Sequence, residues 1–246
     1  WMFPLGTVGR DMMYNLVTNF LLTYILFTKG LDAAQLAAAF AATEVETIVL
    51  GANIAVEDAI VFPEGRTATL DLKGFELKTA ENMASVAALV AVNGDLTITD
   101  SYGIGRITAT KISAIQVNNG GELAINCNVT AHESVVRAVG GEVVISGGKY
   151  VQTGTYYSNP STLRYALDSR ADGEGNLGSL TVNGGEFSSN NGIINAGASV
   201  TINGGTFTSP YRALRQFANS STKENTLVIN GGTISGANKA VWVQSS

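Results

Sequence analysis

The chain has 246 residues, with 15 Lys and Arg against 20 Asp and Glu, which gives a formal net charge of −5. This acidic balance excludes the basic surface expected of a nucleic-acid-binding protein. A single cysteine, Cys127, excludes an intrachain disulfide framework and a cysteine-based zinc site. Charged residues make up only 14% of the chain and there are 28 glycines, a composition typical of a β-protein with frequent turns.

Residues 1–31 are predicted to form a membrane-type helix. The run 12–27 contains no charged residue, although it is shorter than the roughly 20 residues that a spanning helix needs. Its polar residues Asn15, Asn19 and Thr23 recur every four positions. They would therefore lie along one stripe of a helix, facing other helices or a watery cavity rather than lipid.

Residues 3–31, which contain the triplet Gly9-Arg10-Asp11, resemble the first transmembrane helix of the glycoside–pentoside–hexuronide cation symporters, the melibiose-permease type. The resemblance implies that Asp11 belongs to a sugar site and that Arg10 is its basic neighbour. It covers about 29 residues, and neither the family's second-helix motif nor its further spans follow. A vestigial or fused transporter helix is the preferred interpretation. A signal peptide or anchor, a soluble helix packed on the next domain, and an artificial join of two genes are the alternatives.

Residues 32–46 are predicted to form a capping helix and a junction. Asp32 is a suitable N-cap, and Leu36 and Phe40 lie four residues apart on one face. Residues 60–72, with a Pro-Glu-Gly-Arg turn, resemble the opening coil of bacterial surface β-helix domains. A cap of this kind would cover the open edge of the first coil.

An Asn-Gly-Gly phrase repeats along the rest of the chain, at 180–187, 200–207 and 227–234, with a looser copy at 143–150. Repeats at this spacing indicate a solenoid. The strands that lead the phrases are predicted to start at Leu70, Leu96, Leu123, Val143, Leu180, Val200 and Leu227.

Residues 47–246 therefore resemble the right-handed parallel β-helix of adhesin-like and pectate-lyase-type bacterial surface proteins, with about seven coils and a truncated C-terminal end. The Asn-Gly-Gly phrases are interpreted as turns, because Asn and Gly tolerate left-handed conformations. Asn183, Asn203 and Asn230 are predicted to stack as an amide ladder between successive coils.

The longest insertion, between Tyr150 and Leu180, and a second aromatic and basic patch after residue 210 contain the candidate binding residues. Tyrosines stack on sugar faces, and arginines hydrogen-bond hydroxyls. The predicted binding residues are Tyr156, Tyr157, Arg164, Tyr165, Arg170, Tyr211, Arg212 and Arg215. Asp168, Asp172 and Glu174 have the spacing of a loose calcium loop, although the later bidentate Glu of an EF-hand is missing. A solvated surface loop is the preferred interpretation of these acids, and a metal site is the alternative.

These patterns predict a non-enzymatic structural or adhesive module of a bacterial cell surface. It would be extracellular, associated with the membrane through residues 1–31, and would bind a polysaccharide or host glycan. No catalytic residue is predicted, and calcium is the one candidate cofactor. The first alternative is a calcium-dependent polysaccharide lyase or hydrolase, with Asp71, Asp95 and Asp100 near one face. The second is a fragment related to a sugar–cation symporter.

Overall fold

The computed structural model describes residues 32–154, 164–217 and 225–244, which contain one helix and 24 strands in three parallel sheets. Sheet 1 consists of β1 (Thr47–Val49), β4 (Thr67–Asp71), β7 (Asp95–Thr99), β10 (Glu122–Asn126), β13 (Glu142–Gly147), β16 (Ser179–Val182), β19 (Ser199–Ile202) and β22 (Leu227–Ile229). Sheet 2 consists of β2 (Ile54–Val56), β5 (Glu76–Thr79), β8 (Arg106–Ala109), β11 (Asn128–Ala131), β14 (Lys149–Gln152), β17 (Glu186–Ser189), β20 (Thr206–Ser209) and β23 (Thr233–Gly236). Sheet 3 consists of β3 (Ile60–Phe62), β6 (Ala88–Val92), β9 (Ser113–Asn118), β12 (Val136–Val139), β15 (Tyr165–Arg170), β18 (Gly192–Ala196), β21 (Arg212–Phe217) and β24 (Lys239–Gln244).

The strands follow one another as coils of a parallel β-solenoid. Each set of three consecutive strands places one strand in each sheet, and every strand pairs in parallel with its equivalent in the next coil. The described strands make eight coils, one more than the phrases predicted. The additional coil is the first, β1 to β3, whose residues 47–62 the sequence analysis did not count among the repeats.

Helix α1 (Ala33–Ala41) covers the first coil. Asp32 closes a capping box, because its side chain accepts the N–H of Gln35 while the Gln35 side chain accepts the N–H of Asp32. Leu36 and Phe40 are buried, and the Phe40 ring meets Phe62 edge to face at 5.3 Å. The predicted cap is therefore present and packs on the core.

Among the described residues, no helix is long and apolar enough to cross a membrane. The membrane-type helix predicted for residues 1–31 lies outside the described residues, and so do Arg10 and Asp11.

Alternate residues of each strand form aliphatic ladders inside the solenoid. In sheet 1, Leu180 pairs with Val200, and Val182 pairs with Ile202, as predicted. At the start of this ladder the alignment differs from the prediction, since Ala68 rather than Leu70 pairs with Leu96. The two-residue offset leaves the same face inward, and for that reason the hydrophobic pattern alone did not reveal it.

In sheet 2, three aromatic rings form a stack through the core. Tyr150 and Phe187 lie 4.9 Å apart, and Phe187 and Phe207 lie 4.7 Å apart, each pair nearly parallel. The stack continues into the last coil as an aliphatic contact, because Phe207 pairs with Ile234. It ties four successive coils together.

The Asn-Gly-Gly phrases form the turns between sheets 1 and 2, which confirms their interpretation as turns. The second glycine of each phrase has a positive φ, for example 105° at Gly205. The amide ladder is also present: Asn203 donates to Asn183, and Asn230 donates to Asn203, each at 2.8 Å.

Candidate binding groove on the third sheet

The outer face of sheet 3 carries a continuous row of polar side chains. The inward positions Leu167, Ile194 and Leu214 pair with one another and are buried, so the residues that follow them point outward. One outward residue from each of the last six coils enters the row. In register, it consists of Gln116, Arg137, Asp168, Asn195, Arg215 and Trp242.

A groove of about 310 Å³ lies over this row. It brings together four of the predicted binding residues, Arg164, Tyr165, Arg170 and Arg215, and one predicted metal ligand, Asp168. The predicted surface loop is partly a strand here, since Tyr165–Arg170 is β15. Tyr156 and Tyr157 lie outside the described residues, so their predicted role remains a prediction.

Asp168 is the central acceptor of the groove. It is 5% exposed, and its Oδ2 accepts Nε of Arg170 at 2.8 Å and a second N–H from the same guanidinium. Its Oδ1 accepts Nδ2 of Asn195 at 2.9 Å, and Nε of Arg137 lies 3.8 Å from Oδ2. The carboxylate is thus occupied in holding three neighbouring side chains in place.

The other two predicted calcium ligands lie in the turn that follows β15. Asp172 accepts the backbone N–H groups of Glu174 and Asn176 at 2.9 and 2.8 Å, together with the amide of the Asn176 side chain. These bonds lower the pKa of Asp172, the Asn176 side chain being the largest cause. Within the described ranges, no three His, Cys, Asp or Glu side chains lie close enough together to hold a metal ion.

The groove is positively charged although the chain is acidic. Its lining contains four arginines against two carboxylates. Arg164 forms an ion pair with Glu133, and Arg170 forms one with Asp168. Burial lowers the pKa of the Arg137 guanidinium, and the like charge of Arg170 lowers it further. The groove is therefore a site where an added negative charge is favourable.

Tyr165 lies flat against the sheet because the next coil has a glycine beneath it. Tyr165 pairs with Gly192, and a Cβ at position 192 would come within 2.3 Å of Cε1 of the Tyr165 ring. The hydroxyl of Tyr165 is buried and makes no hydrogen bond of good geometry among the described residues, although the guanidinium groups of Arg215 and Arg212 lie close enough to interact with it. Burial raises the pKa of this hydroxyl, an effect that the nearby charges of Arg215 and Arg212 partly offset.

Arg212 and Arg215 extend the groove towards the last coil. The Arg212 guanidinium lies 3.9 Å from the centre of the Trp242 ring and 4.5 Å from that of Tyr211, and Arg212 is only 7% exposed. Its Nε and Nη1 atoms have no hydrogen-bond partner among the described residues. Arg215 donates to Oε1 of Gln244 at 2.8 and 3.2 Å.

Sequence reasoning missed Gly192 and Trp242. A glycine at a strand position can indicate close approach of another group, so Gly192 offered a weak signal. Trp242 offered none, because its position over Arg212 follows from the pairing of β21 with β24.

Two of the three acids considered for a lyase site, Asp71 and Asp100, form hydrogen bonds within the fold. Asp71 accepts the N–H of Ser101 at 2.9 Å, and Asp100 accepts the N–H groups of Gly74 and Gly105 at 2.6 and 2.5 Å. Both carboxylates hold turns between neighbouring coils.

No protein family, curated protein or solved structure matches the chain. The geometry of the groove is therefore the basis on which a function is assigned.

Proposed function

We propose that the chain is a non-enzymatic adhesive module of a bacterial cell surface, and that it binds glycan in the groove of sheet 3. The observation that carries the proposal is the convergence of guanidinium and amide groups along a single outward row, with a tyrosine ring beside it. Binding sites commonly combine an aromatic surface with a few well-placed polar groups. Here Phe217 and Tyr165 are the aromatic residues that line the groove, Tyr165 being only 4% exposed, while Arg137 and Asn195 supply polar groups from the two coils next to Tyr165.

The pairing of the groove carboxylates supports binding over catalysis. Hydrolysis of a glycosidic bond commonly uses two carboxylates in distinct acid and base roles. In the groove, Asp168 is held by Arg170, and Glu133 is held by Arg164. A calcium-dependent lyase is therefore the less favoured candidate. An assay for unsaturated product with and without calcium tests it directly.

The handedness of the solenoid, its likeness to known scaffolds and its location are parts of the same proposal. We assign the solenoid a right-handed winding, because crossover connections between parallel strands are right-handed in nearly all proteins. The likeness to pectate-lyase-type scaffolds, the surface location and the membrane attachment through residues 1–31 rest on resemblance. The relation of those residues to a sugar–cation symporter is likewise a prediction.

The test is binding of the purified full chain to immobilised plant and host polysaccharides, with and without calcium. We expect at least one polysaccharide to retain the protein, without calcium and without release of unsaturated product. Arg137→Gln should reduce retention by about tenfold, the effect of losing one charge-assisted hydrogen bond. The matched control is Lys149→Gln, which removes a positive charge from an exposed position on sheet 2.

Formation of unsaturated product only in the presence of calcium would show that the protein is a lyase and would contradict the adhesive function. Retention that is lost equally in both variants would show that the groove is not the site.

A further inference from the structure

We propose that the groove selects glycans that carry an anionic substituent, a carboxylate or a sulfate ester, and that this group binds between Tyr165, Arg212 and Arg215. The proposal rests on the glycan-binding function proposed above and specifies its ligand class. Three independent observations support it.

The first observation is the location of buried polar atoms without partners. Five side-chain atoms among the described residues are buried and have no hydrogen-bond partner. Two of them, the hydroxyl of Tyr165 and Oδ1 of Asn195, belong to residues that line the groove. Two more, Nε and Nη1 of Arg212, belong to the residue that pairs with Gly192 in the neighbouring coil. The fifth, Nε of Arg66, lies in the second coil. Because buried polar groups are nearly always satisfied in native proteins, this cluster indicates a missing polar ligand.

The second observation is the chemistry of those atoms. Three of the four can donate a hydrogen bond, and a guanidinium has no acceptor at all. A ligand that satisfies Arg212 must therefore present oxygen acceptors. Trp242 stacks on the Arg212 guanidinium at 3.9 Å and so fixes the plane in which its N–H groups point.

The third observation is the balance of charge at this end of the groove. Arg164 and Arg170 are paired with carboxylates, whereas Arg215 donates to the neutral amide of Gln244. Across the described ranges, neither Arg212 nor Arg215 forms an ion pair. Two cations of the same strand, the buried Arg212 and the half-buried Arg215 that lines the groove, thus have no protein anion beside them in the described structure, which favours a charged acceptor over a sugar hydroxyl.

The test compares charged glycans with their neutral counterparts by titration calorimetry. The probes are polygalacturonate against its carboxyl-reduced form, and dextran sulfate against dextran. We expect the charged member of at least one pair to bind at least about tenfold more tightly, and its affinity to fall as NaCl rises from about 0.05 to about 0.5 M. The pair that shows the preference distinguishes a carboxylate from a sulfate ester.

Variants then locate the anion. Arg215→Gln should remove the preference for the charged probe, and Arg215→Lys should restore part of it. Tyr165→Phe should reduce affinity several-fold while the protein remains folded, since only the hydroxyl is lost. Lys149→Gln, a charge change in the same coil as Tyr165 but on sheet 2, should leave the preference for the charged probe unchanged.

The outcomes separate this inference from the proposed function. If neutral and charged probes bind equally and Arg137→Gln still weakens both, glycan binding stands and the anion site is wrong. If no glycan binds, inorganic sulfate and acetate are titrated against the fluorescence of Trp242 in a Trp1→Phe variant, because the chain has two tryptophans. A change that Arg215→Gln abolishes would keep the anion site and refute the glycan function, and the absence of any change would refute both.

Discussion

Replacing Tyr165 with Phe should stabilise the free protein. The substitution keeps the ring over Gly192 and removes only a hydroxyl that is buried without a hydrogen bond of good geometry among the described residues. Leaving such a group unsatisfied costs about 1–3 kcal/mol. Because the charges of Arg212 and Arg215 lie close to the hydroxyl oxygen, we expect a gain near the lower end, about 1 kcal/mol.

The assay is equilibrium unfolding in urea together with thermal unfolding of the full chain. A gain of this size corresponds to a rise in Tm of about 2–4 °C for a domain of this length. The matched control is Tyr150→Phe, because the Tyr150 hydroxyl is equally buried but donates to the carbonyl of Gly147 at 2.8 Å. That variant should lose about 0.5–1.5 kcal/mol. If both variants lose stability by similar amounts, the Tyr165 hydroxyl is satisfied in the fold, and the argument for a missing ligand fails.

Three further predictions concern the groove floor, the core and acid stability. Gly192→Ala should lower glycan affinity by at least about tenfold and should also destabilise the fold by about 1–3 kcal/mol, because the new Cβ displaces the buried Tyr165 ring; calorimetry and a thermal scan check both. Phe187→Ala should cost about 3–5 kcal/mol in urea unfolding, because it removes the middle ring of the stack. Burial raises the pKa of Glu76, but hydrogen bonds led by Arg106 outweigh it and the net pKa is lowered. The ionised Glu76 should therefore stabilise the fold fully near neutral pH, and this contribution should disappear as the pH falls below 4.5, the ordinary pKa of a Glu side chain. In Glu76→Gln, Tm should depend less on pH in that range.

The sequence predicted the sheets well because successive coils repeat the same local chemistry. Asn183 and Asn203 occupy equivalent turns, so their stacking followed from the repeat alone. The first coil was harder to predict because β1 to β3 have only three residues each, too few for a clear alternating pattern. The pattern likewise could not distinguish Ala68 from Leu70 as the partner of Leu96, since both lie on the inward face.

The groove was predictable only in part, because its geometry depends on coil lengths as well as residue types. Asp168, Asn195 and Arg215 are separated by 27 and 20 residues, yet they occupy one row because each coil absorbs its extra residues in a turn. Local spacing predicted Asp168 as a calcium ligand. In the structure, the neighbouring Arg170 and the Asn195 of the next coil occupy its oxygens, and no local motif encodes that cross-coil contact.

Outward residues of the sheets can be substituted without changing the inward residues that hold the coils together. Adjacent coils place equivalent side chains about 4.8 Å apart along the solenoid, and alternate residues of a strand lie about 6.6 Å apart across it. Inward residues maintain the stack, so each outward position of sheet 3 is one point of a regular grid whose occupant can change without repacking the core. Substituting a few points, such as Arg137 or Arg215, would alter which ligand the surface accepts while the scaffold remains the same. In a solenoid of this design, inward residues determine the fold and outward residues determine the ligand specificity, so the two can evolve separately.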